Sequence, residues 1–536
     1  MKNRPFLCFI LIYTIFLCFI LLTFKSYGIS WDETSYLQQG QLYSQVFFDP
    51  SKTIDTTTNE MAGNHAIFLD MLYFLPLKLF GQAGNYETLH LEKAIIASFT
   101  LLFMYLSLRA ISKDNLAPLF AILFLIFSPR WLGDIFDNEL DISAALLYSI
   151  ELFFAIKILT RYKTQGVWKW ILMFSIVSGL SFSQRVALVF IPATTLLLMI
   201  LTVVIARSNE QQQSRLTRRG NLPIRLFCLF ILFGLVFAAS LFFTDPLVSN
   251  NGLLGIISKI TVSLHHQGGA VLYDGKMFSP SHLPMLYLPK YIGITTPIIT
   301  LLFLALGTIA MLLTLSFPRT RESRLLMYID YHFHGNDSEA DERVVYFLIL
   351  ASFFLPIFFV VLINPQNYDA WRHFLFLAVP LSAIAGIGIG ILFKKSNTMV
   401  KGILIAVFLF NLVITQKELI RLHPYEYVYF NELVQGLPGA YGKYETDYWA
   451  KSTKEAVIWL TSTRMPAETY TVYNCTDPVQ ASYYFTPNIV SVDNPNDADY
   501  AICFTRYNLD KHIKGKTIYT VRREGVPLMF VKSTKP

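Results

Sequence analysis

The chain has 536 residues, of which 54% are hydrophobic and only 15% charged, with a mean hydropathy of +0.45 and a formal net charge of +7. That composition excludes a single soluble globule and describes a polytopic α-helical membrane protein. The positive balance calls for no nucleic-acid partner, because it is concentrated in alternate loops of the membrane topology.

Apolar runs long enough, or nearly so, to cross a hydrocarbon core of ~30 Å occur at 5–24, 94–110, 115–129, 142–160, 168–183 and 186–206. Others follow at 226–243, 297–317, 344–363, 374–393 and 399–415, which predicts about 11 spans. One set of loops holds Lys2 and Arg4, Arg109 and Lys113, Lys157 to Lys169, Arg207 to Arg225, Arg319 to Arg343, and Lys394 to Lys401. It carries roughly twice the basic residues of the other set in about half the length. The N-terminus is therefore expected in the cytoplasm, with loops 25–93 and 244–296 and the tail 416–536 outside. The first run is followed by Lys25, Ser26 and Tyr27, with no small-residue cleavage site, and reads as an uncleaved anchor.

Two domains are expected: a transmembrane domain over 1–415, and a small extracytoplasmic α/β domain over 416–536. In the tail, HPYEYVYFNELV (423–434) predicts an interfacial helix that starts with a proline, and Trp449 to Leu460 a second amphipathic helix. ETYTVYNC, ADYAICF and the pair TIYTVRR and VPLMFVK, joined through Glu524 and Gly525, predict strands. Cys8, Cys18 and Cys228 lie in spans. Cys475 and Cys503 lie in the exported tail, where a disulfide is permitted but its geometry is not legible.

The first exported stretch, YGISWDETSY (27–36), places Asp32 and Glu33 directly outside the first span. Ser30 and Glu33 fit a capping box opening the helix-like run that follows. Asp32, at the second helical position, owes nothing to that box beyond a dipole contribution of ~0.3–1 kcal/mol.

A second acidic cluster follows the third run in SPRWLGDIFDNELDIS (128–143). There Asp134, Asp137 and Asp141 share a face if the stretch is helical, while Asn138 or Asp141 is a candidate cap for the next span. Basic residues on the outer side run against the topological bias and need local reasons. They are Arg185 beside Gln184, Lys290 in YLPKYIGITTP, and Arg372 and His373 beside Asp369 in NYDAWRHF. Snorkelling suffices for Lys290, whereas pairing or anion binding suits Arg185 and Arg372.

Taken together and in order, GISWDE, SPRWLGDIFDNELD, YLPKYIGITTP, NYDAWRHF and HPYEYVYFNELV with DYWAKSTKEA resemble the bacterial relatives of protein O-mannosyltransferases and lipid A aminoarabinose transferases. These are GT-C integral-membrane glycosyltransferases. The resemblance covers nearly the whole chain and implies a location in the bacterial cytoplasmic membrane, with the active site facing the periplasm or exterior. It implies a polyprenyl-phosphate sugar donor and a glycan, lipid or protein acceptor.

By the same resemblance Asp32 is the catalytic carboxylate with Glu33 beside it, and an acid after the third span, Asp134 or Asp141, assists. His65 in NHAIFLD stands where relatives often show a His-Pro pair, but the proline is absent here. No cofactor is required, although acidic oxygens are able to hold a divalent cation.

A lipid-phosphate sugar already carries a good leaving group, so one base suffices where a glycosidase needs two carboxyl groups. Asp32 would take the proton of an attacking hydroxyl as the anomeric carbon inverts. Arg372, with Arg185, Lys290 or His373, would receive the departing phosphate. Asp134, Asp137 or Asp141, with His65, would position acceptor, sugar or cation.

The rival reading is a lipid or sugar flippase or transporter, and a third is a surface-polysaccharide polymerase or ligase. Transporters concentrate ionisable residues near the midplane of repeated halves. Here the charges collect at span ends on one side.

Overall fold

The computed structural model describes residues 4–49, 51, 67–112, 116–162, 164, 166–210, 222–265, 268–316, 337–463 and 469–535. Within the described residues the apolar runs fall largely on helices. Among the described residues eight helices are long and apolar enough to cross a membrane, from Arg4–Ser26 to Thr398–Leu422. Ala117–Ile126 and Val186–Leu201 are shorter apolar helices, and Val167–Gln184 carries three serines and a glutamine in its second half. The fold is thus a multi-pass helical bundle with a strand-containing C-terminal part.

The bundle is sorted by burial. Arg372–Lys395 is buried along most of its length and Glu139–Arg161 nearly as much, whereas Arg4–Ser26, Ile224–Thr244 and Thr398–Leu422 keep wide apolar faces exposed. Exposed leucines and phenylalanines on those helices are what a lipid-facing rim requires. Close helix approach in the centre relies on small residues: a Cβ on Gly386 would stand 2.6 Å from the Ala121 backbone.

The C-terminal part holds a five-stranded mixed sheet with two parallel and two antiparallel pairings. Its strands are β3 Tyr470–Asn474, β4 Ile489–Ser491, β5 Tyr500–Phe504, β6 Lys516–Arg523 and β7 Val526–Ser533. β3 pairs in parallel with β4 and β5, and β7 pairs antiparallel with β5 and β6. The expected strands are present, with the β6–β7 turn at Glu524 and Gly525, both at positive φ. Parallel β4 was not expected. Cys475 and Cys503 form a disulfide, with Cα atoms 5.0 Å apart.

Two local expectations need correction. HPYEYVYFNELV is no interfacial helix: it forms two short 3-10 turns, Glu426–Val428 and Glu432–Val434, after a cis His423–Pro424 bond. Its aromatics are inside, with Tyr425 and Tyr427 at 1% and 0% exposure, because they pack between the bundle and the sheet rather than against lipid. The second amphipathic stretch is helical only over Thr453–Thr463. The acids of 128–143 do not share one helical face either. Helix Pro129–Asp134 ends before Asp137, and a new helix, Glu139–Arg161, starts under an Asn138 cap that accepts from Leu140 and Asp141 N–H.

Candidate active site

The motifs that lie hundreds of residues apart in sequence interlock. Gly28 lets GISW run against the DYWAK segment, where a Cβ would meet the Lys451 carbonyl at 2.3 Å. Trp31 N–H donates to the Trp449 carbonyl at 3.1 Å, and Gln480 Nε2 donates to the Ile29 carbonyl at 2.8 Å. The Asn431 amide donates to the Gly293 and Thr296 carbonyls, each at 2.7 Å. The YLPKYIGITTP helix in turn holds NYDAWRHF: the Tyr287 hydroxyl accepts from Ala370 N–H at 3.0 Å, and Trp371 Nε1 donates to Thr295 Oγ1 at 2.8 Å. These anchors offset the strain of Asp369 and Ala370, both at positive φ (55° and 61°), a conformation unusual for such residues.

At the junction Arg372 Nη1 lies 3.2 Å from Asp32 Oδ2 and Arg372 Nε 3.2 Å from Asp369 Oδ2. The guanidinium stacks on Trp449, 4.3 Å from the ring centre. Tyr36 O–H donates to Asp32 at 3.3 Å. Arg185, at the break after Val167–Gln184, pairs with Asp141. Asp141 lies within electrostatic reach of Arg372, Asp32 and Asp369. Arg506 extends the charged chain, pairing with Asp369 and with Glu445. The acids differ sharply in access: the Asp32 side chain is 28% exposed, those of Asp141 and Asp369 0% and 3%.

Glu33 faces the other way. Its side chain is wholly buried, bonded to Lys93 Nζ at 2.6 Å and to His90 Nε2 at 3.0 Å, and Lys93 also pairs with Glu139 at 2.7 Å. Burial pushes the Glu33 carboxyl up, but the charges and hydrogen bonds of His90 and Lys93 outweigh it and bring its pKa down to about 2. The capping box is half formed: Ser30 N–H donates to Glu33 Oε2 at 3.0 Å, yet the Ser30 hydroxyl is buried without a partner. The position before the helix is Asp32, whose side chain makes no capping bond. Its carboxylate is thereby left to Arg372, Tyr36 and solvent.

The other expected residues divide into groups. Asp137 pairs with Lys451, whose ammonium also reaches the Gly133 carbonyl at 2.9 Å. Burial, opposed by Lys451, brings Asp137 up to about 6 and Asp134 up to about 7. Both Asp134 oxygens are buried without hydrogen-bond partners, near Arg130, which donates to the Tyr448 hydroxyl at 3.1 Å. Lys290 pairs with Asp274 and lies 5.0 Å from the centre of the Tyr273 ring. His373 is 2.9 Å from Asn367 Oδ1 and edge-on to Tyr368. His65 lies outside the described residues. Among the described residues no three His, Cys, Asp or Glu side chains converge as metal ligands.

Sequence reading missed Lys93, Lys451 and Arg506. Lys93 had a signal, a charge where an apolar run begins, and Lys451 lies inside DYWAKSTKEA. Arg506, in a turn after β5, had none.

No protein-family model matches the chain, and no curated protein sequence matches it. Among solved structures, ArnT from Cupriavidus metallidurans, bound to undecaprenyl phosphate, aligns over 99% of this chain and 98% of its own, with a TM-score of 0.50 and 12% identity. AglB from Archaeoglobus fulgidus, in complex with an inhibitory peptide and a dolichol-phosphate, covers 93% of this chain and 65% of its own, with a TM-score of 0.49 and 14% identity. At such identities the likeness speaks for the fold alone: this chain is folded like ArnT.

Proposed function

We propose that the protein transfers a sugar from a polyprenyl-phosphate carrier to an acceptor hydroxyl, at the outer face of a bacterial cytoplasmic membrane. The observation that carries this reading is the pairing of an accessible carboxylate, Asp32, with a buried, aromatic-backed guanidinium, Arg372. A carboxylate open to an acceptor is what proton removal needs, and a preorganised cation beside it suits a departing phosphate. The ArnT structure holds undecaprenyl phosphate, which supports a lipid phosphate as the leaving group.

In this mechanism Asp32 accepts the hydroxyl proton as the oxygen attacks the anomeric carbon, and the bond to phosphate breaks with inversion. Arg372 stabilises the phosphate as it leaves, and Arg185 assists from the Asp141 side. Asp141 fits the role of the second acid better than Asp134, because it shares the field of Arg372 and Asp32, whereas Asp134 faces Arg130 and Lys451. Glu33 acts by holding the start of helix Glu33–Phe48.

The experiment is to supply a radiolabelled polyprenyl-phosphate sugar to membranes from overexpressing and deletion strains. Transfer predicts label on a new product and release of polyprenyl phosphate that depends on the protein. Relocation of intact sugar lipid across the bilayer would support a flippase instead.

A further inference from the structure

Next to the charged chain lies a cavity of 360 Å³, walled by the hairpin of β1 Val271–Tyr273 and β2 Lys276–Phe278, by Tyr441–Tyr448 and by Thr505–Lys511. Arg506 belongs to both places: it lines the cavity and pairs with Asp369, which holds Arg372 against Asp32. The hairpin is fixed over the cavity by Gly275 N–H, which donates to the Lys443 carbonyl at 3.0 Å, and by Asp274, which pairs with Lys290 and accepts from Tyr444 at 2.5 Å.

The volume falls in the range of small-molecule sites, about 300–1,000 Å³. One wall group is only half met. Glu445 is a lining residue at 7% exposure; its Oε1 lies 3.3 Å from Arg506 Nε, and its Oε2 is buried and accepts no hydrogen bond. Leaving such an acceptor unmet is unfavourable, and a ligand hydroxyl would offset it.

The lining selects among ligands. Arg506 is already matched by Asp369 and Glu445, and Lys511 faces a wall that also carries Asp510, so no surplus of cations awaits a phosphate. Polar groups interrupt the apolar surface that a lipid tail would want. Tyrosine rings beside hydrogen-bonding side chains suit a ring with hydroxyls at its edge and C–H groups on its face.

We propose that this cavity is an acceptor subsite for a neutral sugar ring, with Glu445 and Asn508 meeting its hydroxyls and Tyr441 and Tyr507 its face. The acceptor is then a saccharide, held here while a neighbouring hydroxyl reaches Asp32. This rests on the reading of Asp32 as the centre of glycosyl transfer.

The test is saturation-transfer NMR on the full-length protein in detergent, with methyl α-mannoside, methyl β-galactoside and N,N′-diacetylchitobiose as probes. Wild type is expected to contact at least one of them. Glu445→Gln should weaken that contact on the order of tenfold, about 1.4 kcal/mol. Met277→Trp, at a 51% exposed cavity residue, should abolish it without lowering the melting temperature. Asp32→Asn should bind as wild type does, so retained sugar binding in a protein whose transfer ignores Asp32 would remove the catalytic reading and leave the subsite. Contact with none of the three sugars, or contact unchanged by both cavity variants, would overturn the subsite.

Discussion

Asp32 and Arg372 are 340 positions apart in the chain and meet at 3.2 Å, one at the start of a helix beyond the first span, the other in a 3-10 turn leading into the most buried span. Arg372 cannot relax away from this contact, because Asp369 and Trp449 hold its other sides. In the proposed mechanism this preorganised cation is the group that receives the developing phosphate charge.

Arg372→Ala should therefore lower turnover by about 10²- to 10³-fold, the usual effect of losing one preorganised group at a developing charge. Arg372→Lys should recover only part of it, since a point charge serves one carboxylate where the planar fork serves two. Steady-state transfer rates on variants that retain the wild-type elution volume check both.

Glu33→Gln should destabilise the protein by about 3–5 kcal/mol, because Lys93 then keeps an incomplete set of partners in a buried cluster. The pH dependence follows from Glu33 lying at about 2 in the fold, below its ordinary 4.5. Its stabilisation is present above about 4.5 and is lost as pH falls from there toward 2. Melting curves from pH 7 to 3 should show wild type approaching the variant at the acid end.

Asp134→Asn should behave oppositely. Burial brings Asp134 up to about 7, so the charged form is disfavoured in the fold. Wild type is then best served below the carboxyl's ordinary 3.8 and loses stability as pH rises from there to about 7. At pH 8 the asparagine variant should melt at the same temperature as wild type or higher, and a lower melting point would show that the charge is satisfied.

Gly28→Ala places a Cβ 2.3 Å from the Lys451 carbonyl, an overlap that backbone must yield to. A cost of about 1–3 kcal/mol is expected, with activity falling further than stability because the neighbouring bond from Trp31 N–H to the Trp449 carbonyl holds the ring on which Arg372 stacks. Tryptophan fluorescence alongside the transfer assay separates the two effects.

The long apolar helices were legible because hydrocarbon demands long apolar runs, with about 11 spans expected and eight described helices long and apolar enough to cross; the strands of the tail were legible because β-branched and aromatic residues alternate there. The separation of Asp32 from Glu33 was legible in part. The capping box assigned Glu33 to the backbone N–H of Ser30, a bond that forms, but its other partners, His90 and Lys93, come from another helix that no local pattern connects to it. HPYEYVYFNELV misled because aromatic and polar residues mixed at a membrane boundary look alike whether they face lipid or another domain. Periodicity also joined Asp134 to Asp141, where the Asn138 cap divides the helix. Arg506 and Glu445 reach the site only through tertiary folding.

The most direct test of the central claim is the rate of sugar transfer from a polyprenyl-phosphate donor by folded Asp32→Asn in membranes. Asp32 as the base predicts a loss of about 10²- to 10⁴-fold, with Arg372 still held by Asp369 and the fold intact. Near-normal turnover by that variant would contradict it.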